Sequence, residues 1–229
     1  MDTTHSLRPI KSFVLRQGRL TKGQEQALQT GWPCFGIENS RELLDFPALF
    51  GNPAPVTLEI GFGNGESLAQ MALAAPERNF LGIEVHTPGV GHLLHLVQKH
   101  QLTNVRVLNT DAVDIIQQRI PTKSLERVQI YFPDPWHKKR HNKRRIIQTE
   151  FVSLLATRLQ AGGLLHLATD WEDYAESMAE VMQASPDFHS ANPSGEAFSP
   201  RPEFRPLTKF EQRGLKLGHG VWDLLYLKN

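Results

Sequence analysis

Between about residue 55 and residue 185, short apolar runs alternate with stretches of helical periodicity, and that alternation restricts the possible folds more than any other feature. VTLEI (56–60), FLGIEV (80–85), VRVLN (105–109), VQIYF (128–132) and GGLLHLAT (162–169) read as buried strands. Leu68, Met71, Ala72 and Ala75 fall at i, i+3, i+4 and i+7, as do Val90, Leu93, Leu94 and Val97. Ile147, Phe151, Leu154 and Leu155 make a similar stripe, and so do Tyr174, Met178, Val181 and Met182. Each stripe gives a helix one apolar side. Right-handed crossovers put such helices on both faces of a mostly parallel sheet, so the strand C-termini become the predicted ligand edge. VWDLLYLK (221–228) reads as a closing antiparallel strand at or near the sheet edge. The expected class is α/β, Rossmann-like.

A chain of 229 residues suits one packed domain with modest extensions. Residues 1–50 read as an N-terminal basic arm with a short helix, and residues 51–229 as the main domain. Thr21 and Gln24 have capping-box spacing, which opens the short helix and fixes where Arg16 and Arg19 point. Residues 185–206 are proline-rich and read as an extended surface segment. Cys34 is the only cysteine, which excludes an intrachain disulfide and a multi-cysteine zinc site. The N-terminus shows no signal-peptide pattern, and no apolar run reaches about 18 residues. No membrane association is expected, and the predicted location is cytoplasmic. Monomer and homodimer both remain open.

The strand at 56–60 runs into EIGFGNG, Glu59 to Gly65. Glycines at 61, 63 and 65 let the backbone turn tightly and let a ligand approach without a Cβ in the way. The spacing is G-x-G-x-G, whereas the dinucleotide fingerprint is G-x-G-x-x-G. Glu59, just before the first glycine, would repel a pyrophosphate and favour a cationic ligand such as a sulfonium bearing an amino acid and a nucleoside. Glu84 ends the second strand, where a carboxylate can accept from both ribose hydroxyls. Asp111 follows the third strand and is placed for the adenine edge. The bland alternative makes these three acids helix N-terminal residues favoured by the macrodipole.

Residues 132–145, FPDPWHKKRHNKRR, set one carboxylate between two prolines and then crowd six lysines and arginines into residues 138–145. With 25 Lys+Arg against 24 Asp+Glu the net charge is +1, so attraction to a polyanion must be local, and this run supplies it. Together with RQGRLTKGQ (16–24), LEIGFGNGE (58–66), GIEVHTPGVG (82–91), TDWEDYAESM (169–178) and LTKFEQRGLKLGHGVWDL (207–224), it resembles the bacterial tRNA (guanine-N7-)-methyltransferase family. These enzymes depend on S-adenosylmethionine and have the class I methyltransferase fold. The resemblance runs from about residue 12 to the C-terminus. His137 stands where a proline is expected after the tryptophan.

The resemblance implies methyl transfer to N7 of a guanine in the tRNA variable loop, position 46 by family analogy. Guanine N7 already carries a free lone pair, so no general base is needed and positioning is most of the task. Positive charge leaves sulfur and appears on the purine, and only a group whose interaction grows with that shift lowers the barrier. Asp134, stiffened by Pro133 and Pro135, suits this catalytic role and also borders the cofactor. It can accept from the guanine N1 and N2 edge. A charge about 6 Å away at an effective dielectric near 20 is worth at most roughly 3 kcal/mol, about two decades in rate.

Lys138, Arg140, His141, Asn142, Lys143, Arg144 and Arg145 are expected to hold the base and the tRNA phosphates at the pocket mouth. Cations opening the next helix would oppose its dipole, which argues that phosphate favours them. Trp136 either stacks on a base or packs beneath its own loop. By the same resemblance, Asp170, Thr208, Lys209, Phe210 and Glu211 line the guanosine side, although Thr208 and Glu211 also have capping-box spacing. His92 with His95, and His137 with His141, lack a carboxylate or cysteine to complete a site, so no metal is expected. The rival readings are an NAD-dependent oxidoreductase and a non-catalytic tRNA-binding protein.

Overall fold

The computed structural model describes residues 12–13, 18–208, 211 and 220–229. Arg16, Lys209 and Phe210 lie outside the described residues. The sheet has seven strands in the order β3-β2-β1-β4-β5-β7-β6: β1 Val56–Ile60, β2 Asn79–Ile83, β3 Val105–Leu108, β4 Leu125–Tyr131, β5 Leu159–Thr169, β6 Phe188–Ser190 and β7 Trp222–Lys228. β1 to β5 pair in parallel, and β7 is antiparallel to both β5 and β6. β7 therefore lies one place in from the edge. The edge is β6, three residues long, inside the segment read from its prolines as plain extended chain.

Helices α1 (Lys22–Phe35), α3 (Glu66–Ala74) and α4 (Thr87–Lys99) cover one face. Helices α2 (Phe46–Phe50), α5 (Ala112–Gln118), α6 (Thr149–Arg158) and α7 (Glu172–Gln183) cover the other. α1 opens with the reciprocal capping box: Gln24 N donates to Thr21 Oγ1 at 3.3 Å and Thr21 N to Gln24 Oε1 at 2.8 Å. It packs against α4, and Gln24 Nε2 reaches Pro88 O at 3.0 Å. Beyond α1, Gly36 bridges Val107, and Ile37 N donates to Val107 O at 2.9 Å along the outer side of β3. Residues 22–50 thus share the core with the sheet. No helix among the described residues is long and apolar enough to cross a membrane.

Beyond β4, the face shared with α3 and α4 is polar. Gln129, Tyr131, His166 and Asp223 project there from β4, β5 and β7, and the chain around Phe204 and Arg205 lies over them.

Candidate active site

A cavity of about 690 Å³ opens where β1, β2, β3 and β4 end. The connections from β1 and β4 diverge here, the usual ligand crevice of an open α/β sheet. Gly61, Glu84, Asp111, Tyr131 and Asp134 contribute to its wall. Gly63 and Gly65, expected to hold the cofactor, are not part of that lining. Gly65 has φ +72°, and a Cβ there would lie 2.6 Å from the Leu93 Cβ, so only glycine lets the loop settle onto α4.

The three acids at the strand ends have different situations. Glu84 accepts from Gly63 N at 2.8 Å, Val85 N at 2.8 Å and His86 N at 2.9 Å. A carboxylate offers about four acceptor positions, so roughly one is left to share between two ribose hydroxyls. Asp111 is the N-cap of α5, accepting from Val113 N at 3.1 Å, and it also faces the cavity. The helix-terminal alternative therefore holds for Asp111 alongside its place in the wall.

Glu59 departs from expectation: it is 3% exposed and outside the cavity lining. Its side chain points along the sheet, where Oε2 accepts from Gln129 Nε2 at 2.8 Å. Burial pushes its carboxyl up to about 7, against the Gln129 hydrogen bond that lowers it, with a further upward push from Glu84. The reason is strand alternation: Glu59 and Gln129 are register partners and share a face.

Asp134 is exposed at the cavity, in a turn whose backbone is left-handed at Phe132 (φ 51°) and Trp136 (φ 50°). Such conformations cost of order 1–3 kcal/mol each at non-glycine residues and persist where the surroundings impose them. Phe132 N donates to Ala168 O at 2.8 Å, which ties the turn to β5. Trp136 packs within its own loop, with Nε1 donating to Ser12 O at 3.1 Å and the Arg144 guanidinium 4.1 Å over its ring. Ser12 and Phe13 consequently line the cavity as well.

The cationic run forms a 3-10 helix, Lys139–Arg144, and α6 begins only at Thr149. The dipole argument is thereby corrected, because Lys143 and Arg144 sit in the last turn of a helix, where cations are favourable. Lys138, Arg140 and Lys143 are exposed, and Lys138 and His141 border the cavity. Partial desolvation and the charges of Arg140, Arg144, Lys138 and Lys143 push His141 below the ordinary imidazole value. Asn142 is half-buried, and its carbonyl accepts from Arg145 N at 2.9 Å. Arg145 is the second correction: its side chain is 3% exposed, pairs with Asp173, donates to Pro135 O at 2.9 Å and lies over Tyr174. It braces the loop and does not face phosphate.

Asp170 is half-buried just after β5 and is not part of the cavity lining. Thr208 Oγ1 accepts from Glu211 N at 3.1 Å, the capping half of that pair's double reading. The Glu211 carboxylate, expected on the guanosine side, is instead buried and takes both Arg205 amino groups at 2.7 Å. Arg205 also donates to Asp223 at 2.7 and 2.9 Å, and His166 Nε2 meets Asp223 at 2.7 Å. Sequence reasoning missed Tyr131, His166 and Asp223, and also Arg205, for which no local pattern gives a signal. Alternation of polar with apolar residues in QIYF, LLHLAT and WDLL was the available signal for the other three. Among the described residues no group of three or more His, Cys, Asp or Glu is gathered as metal ligands.

This geometry has relatives. Several solved structures align with it at 13–17% identity, which speaks to the fold alone. The 16S rRNA methyltransferase KamB aligns with a TM-score of 0.56 over 85% of this chain and 98% of that one. The antibiotic-resistance methyltransferase Kmr also gives 0.56, over 84% and 94%. At the sequence level, a family model described as "Putative methyltransferase" matches residues 53–224. A tRNA (guanine-N(7)-)-methyltransferase of Escherichia coli O6:K15:H31 (strain 536 / UPEC) is 59% identical over 96% of this chain and 92% of its own length. Its counterpart in Escherichia coli (strain K12) is 58% identical over the same shares. With a class I methyltransferase fold, an acid-lined crevice at the strand ends and relatives this similar over nearly its whole length, the chain belongs to the tRNA (guanine-N(7)-)-methyltransferase family.

Proposed function

We propose that the protein transfers a methyl group from S-adenosylmethionine to N7 of a guanine in tRNA, at position 46 of the variable loop. The observation that carries this reading is one cavity that joins Glu84 and Asp111 at the cofactor strands to Asp134 in a rigid turn, with exposed lysines and an arginine directly beside it. Membership of a methyltransferase family sets the nicotinamide alternative aside.

The residues present suit S-adenosylmethionine. A volume of about 690 Å³ falls in the usual range for a small-molecule site, roughly 300–1,000 Å³, and three carboxylates in its lining favour a cation. When bound, the cofactor supplies an electrophilic methyl group on a sulfonium. Glu84 and Asp111 would hold it to offer that methyl to the free lone pair of guanine N7, with the C–S electrons staying on sulfur, so the surrounding residues would have no proton to take up.

The protein's contribution is binding, orientation and charge. Glu84 offers its remaining acceptor position to a ribose hydroxyl and holds the glycine loop through Gly63 N. Asp111 is placed for the adenine edge. Asp134 accepts from guanine N1 and N2 and faces the charge that develops on the ring. Lys138, Arg140 and Lys143 grip backbone phosphates, with Arg144 held back over Trp136. Asp170 and Thr208, outside the cavity lining, are assigned to the acceptor side by family resemblance only, as are Lys209 and Phe210, which lie outside the described residues.

The test is mass spectrometry of nucleosides, and of nuclease fragments that locate the label, from tRNA incubated with purified protein and methyl-labelled cofactor. Labelled 7-methylguanosine at position 46 is expected. Retained tRNA affinity without label would make the protein a binding module only.

A further inference from the structure

A row of buried polar side chains runs across four strands, from β1 to β7, and methyl transfer does not require it. Gln129 Nε2 donates to Glu59 Oε2 at 2.8 Å, and Tyr131 Oη lies 3.2 Å from Gln129 Oε1 and 2.9 Å from His166 Nδ1. His166 Nε2 meets Asp223 Oδ1 at 2.7 Å. Arg205, 1% exposed, then grips Asp223 with two bonds and Glu211 with two more. A buried guanidinium with both carboxylate partners in forked geometry is held in one orientation.

That orientation matters because of what stands in front of it. The Arg205 guanidinium carbon lies 5.8 Å from the Tyr131 ring centroid and 5.7 Å from that of Phe132. Tyr131 and Phe132 are cavity wall, and Phe132 is the left-handed residue from which the Asp134 turn departs. A turn that costs free energy locally needs support from its surroundings. An ion-paired arginine here adds to the apolar packing of Phe132 and to its bond with Ala168 O.

We propose that Arg205, braced by Asp223 and Glu211, is a positioning residue for Asp134, acting with His166 and Tyr131 through the wall that holds Phe132 in its left-handed turn. Arg205 touches no reacting atom. This proposal rests on the methyl-transfer reading for its kinetic consequence and on geometry alone for its structural one. Burial would keep His166 neutral despite Asp223, so its Nε2–H donates to the carboxylate and Nδ1 accepts from the Tyr131 hydroxyl. The Tyr131 hydroxyl carries a single hydrogen, so when His166 Nδ1 takes it the 3.2 Å approach to Gln129 Oε1 is left without a donor.

The experiment uses the full chain carrying Arg205→Lys, which keeps the charge but loses the fork, and Tyr131→Phe as a milder variant should the first fail to fold. Single-turnover methylation, S-adenosylhomocysteine affinity, tRNA affinity and amide exchange at Asp134 and Trp136 are measured for each. Arg205→Lys should slow turnover at least tenfold with both affinities within threefold, and Tyr131→Phe by about threefold. In an Asp134→Asn background either change should cost less than twofold, because residues acting through one group are not additive. Amide exchange at 134 and 136 should rise in both variants. Leu154→Ala, which loosens α6 in the core on the opposite face, should lower the melting temperature without moving either readout.

Full additivity with Asp134→Asn, or unchanged amide exchange, overturns the proposal. So does an effect of Leu154→Ala matching that of Arg205→Lys. If the unsubstituted protein forms no 7-methylguanosine, the function reading fails by itself, and amide exchange still decides whether Arg205 holds the turn.

Discussion

Arg144 and Arg145 are neighbours with different partners: the first lies 4.1 Å over the Trp136 ring, and the second turns inward to Asp173 and the Pro135 carbonyl. Both are turned to the loop, whereas Lys138, Arg140 and Lys143 are exposed, so the positive run is two populations.

Removing the outward charges should change binding to RNA and leave stability alone. Lys138→Gln with Lys143→Gln is expected to reduce the slope of log K against log salt by about 1–2, at roughly 0.7–0.9 per phosphate contact. Filter binding of tRNA from 50 to 200 mM salt reads the slope. Arg145→Ala should instead lower the unfolding free energy read from urea melts by about 1–3 kcal/mol from lost packing and hydrogen bonds, with the salt slope retained.

Asp134→Asn should lower single-turnover methylation by up to about two decades, the ceiling set by one charge about 6 Å away at an effective dielectric near 20. S-adenosylhomocysteine affinity is expected to stay within a few-fold, since the proposed partner of the group is the purine. Calorimetric titration showing equal losses in both quantities would move Asp134 to the cofactor side.

Glu59 makes stability depend on pH. Its carboxyl is raised to about 7 by burial, from 4.5 in the unfolded chain. Below 4.5 both states hold the proton and the group costs nothing. As pH rises towards 7 the unfolded chain ionises while the folded one resists, so stability falls and the loss levels off above pH 7. The full loss is on the order of 3 kcal/mol. Glu59→Gln keeps the Gln129 contact and should therefore be more stable than the parent at pH 8, with the difference shrinking towards pH 5. Urea melts at the two pH values test this. A gap independent of pH would place the ionised form in a better-solvated site.

Gly65→Ala should cost stability and cofactor affinity together. The left-handed backbone and the 2.6 Å approach to Leu93 leave the methyl group no room without moving the loop. A loss of about 1–3 kcal/mol is expected from backbone strain of this kind. Parallel thermal melts with and without S-adenosylhomocysteine separate the two effects.

The parallel strands were legible because buried strands leave unbroken apolar runs, and Val56–Ile60 was read to the residue. Helices α2 and α5 are too short to show a period, and β6 sits among prolines that disguise it. The cavity acids Glu84, Asp111 and Asp134 were legible from their positions after strands. Glu59 was misread because a residue one place before a loop can point either way along a strand. Arg145 could not be told from Arg144, since nothing in six crowded cations says which one folds back to Asp173. The Arg205 cluster was illegible for a different reason: its members lie on four separate segments and meet only across the sheet.

The pairing of Gly36 and Ile37 with Val107 has a practical side. β3 ends the sheet, and an open strand end-row is a template for joining other molecules. A chain trimmed to the family-matched region from residue 53 would keep the strand-end acids yet lose that cover, the α1 contact on α4 and the Ser12–Phe13 part of the cavity wall. Such a shortened protein is best regarded as an adhesive version of the enzyme, to be kept dilute or left with its first fifty residues in place.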